Sequence, residues 1–135
     1  MSAFTSTEGG VAHPGLDLAS VAEVRSRIDR FGERYLHRVH TPGEVAATVG
    51  MSPSRRDEFL AGRFAAKQAV FKALRAPRQT ANPWQLVEVL PIPDGWAEVH
   101  LHGELARWAS EQGLTHCEVS VTHDEHHAIA FATAW

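Results

Sequence analysis

Three cations and an amide crowd one stretch of this 135-residue chain: Arg63, Lys67, Gln68 and Lys72. At roughly 100° per residue, Leu60, Phe64, Val70, Phe71 and Leu74 fall in one apolar helical stripe about 120° wide. Arg63 and Lys67 point into that stripe, and Gln68 and Lys72 lie one turn apart on its margin. A cation on a buried face is costly unless an anion or a hydrogen-bonding partner meets it. Asp17, in the first strand, is the best protein-derived acid to approach them. One carboxylate cannot neutralise three cations, so the leftover charge points to a polyanionic ligand, and phosphates fit. Alternatively, Arg63 and Lys67 lay their stems over the core and extend their heads to water. Spacing alone leaves both readings open.

The elements that must position these groups have clear punctuation. Val11 to Leu18 is a weak strand that Pro14 confines to an edge or a bulge. Ser20 caps a helix to Phe31, with Val21, Val24 and Ile28 on one face, and Gly32 ends it. A short amphipathic turn follows, with Tyr35, Leu36 and Val39. Thr41-Pro42-Gly43-Glu44 is a helix start with a capping box. Ser52-Pro53 opens the longest helix, from about Pro53 to Arg75, and Pro77 stops it. Strands are expected over Gln85 to Leu90 and Trp96 to His102, around the turn Pro91 to Gly95. A helix over Glu104 to Gln112 is closed by Gly113. Two last strands, Cys117 to Thr122 and His127 to Ala134, flank a His-Asp-Glu-His turn. Helices first and strands later give an α+β fold: helices packed on a small antiparallel sheet, with one long central helix. Residues 1–10 read as a flexible tail and 11–135 as a single domain.

Composition bounds the function. A formal net charge of -3 argues against a nucleic-acid binder. The single cysteine, Cys117, forbids an intrachain disulfide and suits a reducing compartment. No apolar run approaches the roughly 20 residues a membrane span requires. The start MSAFTSTEGG lacks the pattern of a signal peptide, so the expected setting is cytoplasmic. Cys117 reads as a small core residue, and Trp84, Trp96, Trp108 and Trp135 as core or subunit-contact residues. His123, His126 and His127, with His100 and His102, lack zinc-ligand spacing and read as surface or turn histidines.

The stretch Leu60-Ala61-Gly62-Arg63-Phe64-Ala65-Ala66-Lys67-Gln68-Ala69-Val70-Phe71-Lys72-Ala73-Leu74 resembles the signature helix of 4′-phosphopantetheinyl transferases, in particular the small holo-acyl-carrier-protein synthases. Gly15-Leu16-Asp17-Leu18 is similar to their Gly-x-Asp motif. Leu36 to Glu44 is similar to their stretch ending in Thr-x-x-Glu, and Ser120-Val121-Thr122-His123 resembles their C-terminal segment. The four motifs occur in the family's order.

The resemblance implies transfer of the 4′-phosphopantetheine arm of coenzyme A to a serine of an apo acyl or peptidyl carrier protein, with release of 3′,5′-ADP. It implies magnesium held by Asp17 and the residue at position 68. It also implies Lys72 and Lys67 on the pyrophosphate, with Arg63, His123 and the neighbouring Ser120 and Thr122 towards the nucleotide end. A homotrimer with sites between subunits is implied too, placing His123 across an interface from Asp17 and Lys72.

The largest departure is Gln68, where the family pattern has glutamate. An amide oxygen can touch magnesium, but it brings no charge and takes no proton. This leaves open a second reading, a non-catalytic or repurposed homologue that binds coenzyme A or a carrier protein. Glu23 stands where an arginine that meets the carrier is common. Arg25, Arg27, Arg30 and Arg34 still make that region basic. Arg75-Ala76-Pro77-Arg78 replaces the family's glycine-rich turn.

Overall fold

The computed structural model describes residues 12–78, 80 and 82–135. Residues 1–10 and Val11, read above as a tail and a strand start, lie outside the described residues. The first strand is β1, His13–Ser20. Its Ser20 hydroxyl accepts from Glu23 N at 3.2 Å and starts helix α1, Val21–Phe31, which Gly32 ends at φ 58°. The amphipathic turn after Gly32 is a short helix, α2, Glu33–Val39. Thr41 and Glu44 form the expected capping box at the head of α3, Pro42–Ala46. Ser52 caps α4, Pro53–Ala73, which stops two residues earlier than expected. The chain then turns through Arg75 at φ 53°. This is a left-handed conformation that glycine adopts freely and an L side chain adopts at a cost.

The second half departs from expectation at the start of its first strand. Gln85 was read into a strand, yet Pro83–Gln85 is a 3₁₀ turn, and β2 runs Val87–Pro91. Asn82 in the left-handed region and the fixed φ of Pro83 bend the chain there. The Gln85 amide then donates to the carbonyls of His37 and His40, both at 2.7 Å. Strand β3, Ala97–Leu101, follows the expected turn; α5 is Gly103–Glu111; β4 and β5 are Cys117–His123 and His127–Ala134.

The strands form two antiparallel sheets rather than one: β1-β5-β4 and β2-β3. β1 is an edge, which is why Pro14, with no N–H to donate, is tolerated there. Period-two alternation then sorts the residues. Ala128, Ala130, Ala132 and Ala134 of β5 are fully buried, as are Ala61, Ala65, Ala66, Ala69 and Ala73 of α4. Small side chains on both surfaces let helix and sheet approach closely. The closest approach is at Gly15, where a Cβ would strike the Ala69 carbonyl oxygen and lie 2.7 Å from Ala73 N. The apolar stripe read from Leu60 to Leu74 was therefore too narrow: α4 is buried over most of its circumference. The opposite face of the same sheet leaves Leu16, Leu18, Ile129 and Phe131 exposed, and Leu16 pairs with Phe131 and Leu18 with Ile129. None of the described helices is long and apolar enough to cross a membrane.

Candidate active site

The alternation that sends Gly15 and Ala19 inwards sends Asp17 inwards between them, against α4. There Asp17 Oδ2 is 3.2 Å from Lys72 Nζ, and the same ammonium donates to the Leu16 carbonyl at 3.2 Å. Asp17 Oδ1 accepts from Leu18 N at 2.7 Å, which fixes the carboxylate. Lys72 remains exposed and Asp17 retains a wet edge, so both can reach a ligand. Gln68, one turn before Lys72, lines a cavity of about 870 Å³ between α1, α2 and α4. Arg27, Arg34 and Arg38 also line it, and Glu23 is its one carboxylate. Of the other helix α1 arginines, Arg25 is held by Asp57 at 2.9 Å.

Lys67 corrects the sequence reading. It is fully buried, with its ammonium turned to acceptors within the protein. Its three protons meet Glu44 Oε1 at 2.6 Å, the Val39 carbonyl at 2.7 Å and the Trp84 carbonyl at 2.6 Å. Burial pushes the ammonium below the ordinary lysine range, and Glu44 pulls it back. Glu44, read in the sequence as a cap and as the end of the Thr-x-x-Glu stretch, also accepts from Thr41 N at 2.9 Å and Val89 N at 2.8 Å. Burial alone would raise its pKa; His40 and Lys67 override that and hold it low. Lys67 thus ties α4 to α3 and β2. Its signal lay in the sequence as the demand of a buried cation for an acid, but that demand was assigned to Asp17.

Arg63 is 8% exposed, and its guanidinium stacks on Phe59 at 4.2 Å. Its Nε has no hydrogen-bond partner, and burial lowers its pKa. It lines a second cavity, of about 380 Å³, with Ser120 and the tip of the β2–β3 hairpin. His123, at the end of β4, lies beside Gly62, with Nδ1 3.4 Å from Glu58 Oε1. Glu58 escaped the sequence reading, which sought no acid for His123. Alternation puts Ser120 and Thr122 on the outer sheet face, opposite Phe131 and Ile129, and His123 on the inner one. The described residues therefore hold two groups. Asp17, Gln68 and Lys72 form one; Arg63, His123 and Ser120 form the other. Nine residues separate Arg63 from Lys72, so they stand roughly 180° apart around α4.

Among the described residues, no group of three or more His, Cys, Asp or Glu side chains is placed to hold a metal ion. The Cys117 thiol is pushed up to about 11 by burial, so it is no nucleophile at neutral pH. Of the two readings given for the tryptophans, core or subunit contact, Trp96 at 65% exposed is not core.

Residues 14–132 match the family model described as the 4′-phosphopantetheinyl transferase superfamily. The chain belongs to this superfamily. Within it, the chain is 34% identical over 122 residues to a holo-[acyl-carrier-protein] synthase of Dehalococcoides mccartyi, covering 90% of this chain and 97% of that protein. Its fold matches the crystal structure of a holo-[acyl-carrier-protein] synthase from Neisseria meningitidis with a TM-score of 0.80 and 26% identity, over 91% of this chain and 97% of that one. A Chronobacterium ammoniagenes complex of such a synthase with CoA matches with a TM-score of 0.76 and 28% identity, over 92% and 96% of the two chains. The superfamily accounts for the α+β architecture and for the order of the sequence motifs.

Proposed function

We propose that this phosphopantetheinyl transferase moves the 4′-phosphopantetheine arm of coenzyme A to a serine of an apo carrier protein. The observation that carries the reading is the Lys72–Asp17 pair at 3.2 Å on the inward face of β1, beside Gln68 and an open cavity. In the reaction the carrier serine oxygen bonds to the β-phosphorus and its hydroxyl proton passes to water. The bond from that phosphorus to the leaving phosphate oxygen breaks, and 3′,5′-ADP departs. Lys72 faces the pyrophosphate and stabilises charge developing on its oxygens, a contribution of the kind that dominates phosphoryl transfer. Asp17 holds Lys72 in place. Arg27, Arg34 and Arg38 offer a basic wall to an acidic carrier surface.

The donor set also suits magnesium. Asp17 and the Gln68 amide offer hard oxygen ligands, and magnesium is commonly held by one or two carboxylates plus substrate phosphates and water. When bound there, the ion would neutralise the pyrophosphate. Gln68 makes that hold weaker than a second carboxylate would.

Arg63 and Lys72 stand on opposite sides of α4, which disfavours their serving one ligand from the same copy. A site between copies of the chain resolves this, with Asp17, Gln68 and Lys72 from one copy and Arg63 and His123 from the next. The exposed apolar face carrying Leu16, Leu18, Ile129 and Phe131 supports self-association, since contiguous patches of this kind mark interfaces. We assign a homotrimer to that face, and the cytosol, where a lone Cys117 stays reduced, as its setting. The experiment is incubation with coenzyme A, magnesium and a panel of apo carriers, followed by intact mass. A carrier that gains the arm with matching release of 3′,5′-ADP supports the reading. No adduct on any carrier, with coenzyme A still raising the melting temperature, makes the chain a binding protein instead.

A further inference from the structure

The wall of the 870 Å³ cavity carries a charge order that a uniformly acidic partner does not satisfy. Leu18, Ala19 and Ser20, which lead on from Asp17, line it. Glu23 follows in the first turn of α1, then Arg27 one turn later, then Arg34 and Arg38 on α2. The one acid therefore lies on the Asp17 side of the wall, and the three cations lie beyond it. The Glu23 side chain is exposed and has no task within the chain. Ser20 Oγ accepts from Glu23 N at 3.2 Å, but Ser20 is paired with His127 in the sheet. The return bond that closes the Thr41–Glu44 capping box is absent at this helix start. Among the described residues no cation lies within ion-pair distance of Glu23. Neighbouring charges do pair: Arg25 with Asp57 at 2.9 Å, and Glu33 with His37 at 3.3 Å.

A free carboxylate on a docking wall repels an acid placed opposite it and attracts a cation, and such pairings decide which partner is accepted. We propose that Glu23 is a specificity-determining residue. The carrier this enzyme serves presents a lysine or arginine beside its acceptor serine, and acidic side chains farther along meet Arg27, Arg34 and Arg38. This rests on the transferase reading above and names the class of carrier it takes.

The test uses wild type, Glu23→Gln and Glu23→Arg as full chains. The probe is one apo acyl carrier protein, made with Lys, Gln or Glu in turn at each surface position within about 10 Å of its acceptor serine, the range of a charge at cellular salt. Transfer is followed by intact mass, and KM for the carrier is separated from kcat. At one position at least, wild type should load the Lys form with kcat/KM about tenfold above the Glu form, with the difference in KM. Glu23→Arg should invert that order at the same position, and Glu23→Gln should level it. Raising the salt to about 0.5 M should shrink both preferences. The same order of carrier forms in wild type and Glu23→Arg at every position overturns the assignment of Glu23 and leaves the transferase reading intact. A Glu23→Gln chain that melts lower and slows equally on every form assigns Glu23 to the start of α1 and also overturns it. A wild type that loads none of the forms removes the transferase reading and this proposal together.

Discussion

Lys67 Nζ lies 2.6 Å from Glu44 Oε1, and neither side chain has any exposure to solvent. The pair joins the middle of α4 to the capping box of α3, and through Glu44 Oε2 to the backbone of β2. Removing one member leaves the other charged and buried. Lys67→Met should therefore cost about 3–5 kcal/mol in denaturant unfolding, and Glu44→Gln a comparable amount. The double variant should cost less than the sum of the two. If Lys67→Met instead unfolds like wild type but fails to bind coenzyme A, Lys67 is a ligand residue and its structural assignment is wrong.

His40 sits in the same cluster, fully buried, with neither ring nitrogen hydrogen-bonded. Burial holds its pKa below the ordinary 6.5, outweighing the nearby Glu44 carboxylate. The unfolded chain takes up a proton at this histidine as pH falls through about 6.5, and the native chain does not. Stability contributed by neutral His40 is thus present above that pH and lost below it, by at most about 1.4 kcal/mol per pH unit. Urea midpoints between about pH 5 and 7 should fall on acidification, and less so in His40→Leu. Equal slopes in the two chains would contradict the assignment.

Gly15 is where β1 crosses α4. A methyl group there meets backbone on two sides, the Ala69 carbonyl oxygen and Ala73 N, and neither can rotate away. Gly15→Ala should be destabilised by about 2–3 kcal/mol or more, since overpacking against rigid neighbours forces the strand off the helix. Because Asp17 is two residues on, the Asp17–Lys72 pair should open as well. A thermal melt combined with coenzyme A titration reads both effects.

Gln68→Glu should tighten the dependence of transfer on magnesium, because a carboxylate replaces a neutral amide oxygen. The magnesium concentration for half-maximal rate should fall by about tenfold or more, with the fold unchanged by melting temperature. An unchanged magnesium dependence would place the ion away from position 68.

Much of this was legible beforehand. Capping residues at Ser20, Thr41 and Ser52 gave helix starts to the residue, because a cap is a local hydrogen bond that needs no tertiary context. Asp17 was named in advance as the acid for the helix cations, and it lies 3.2 Å from Lys72. Lys67 was misread because three-dimensional neighbours decide whether a cation meets a ligand or a carboxylate; Glu44 comes from 23 residues away. Gln85 was misplaced because its apolar neighbours suggested a strand, while Asn82 and Pro83 set a 3₁₀ turn. The division into two sheets depended on long-range pairing, which no local pattern encodes.

The central claim is that opposite faces of α4, from two copies of the chain, complete one site. Lys72→Ala and Arg63→Ala should each abolish most transfer on their own. Co-expressed with different tags and purified through both, the two variants should recover roughly a third of wild-type activity, because each mixed trimer has one interface in three that pairs an intact Lys72 with an intact Arg63. Mixed assemblies as inactive as either variant alone would contradict the account and return both residues to a single-copy site.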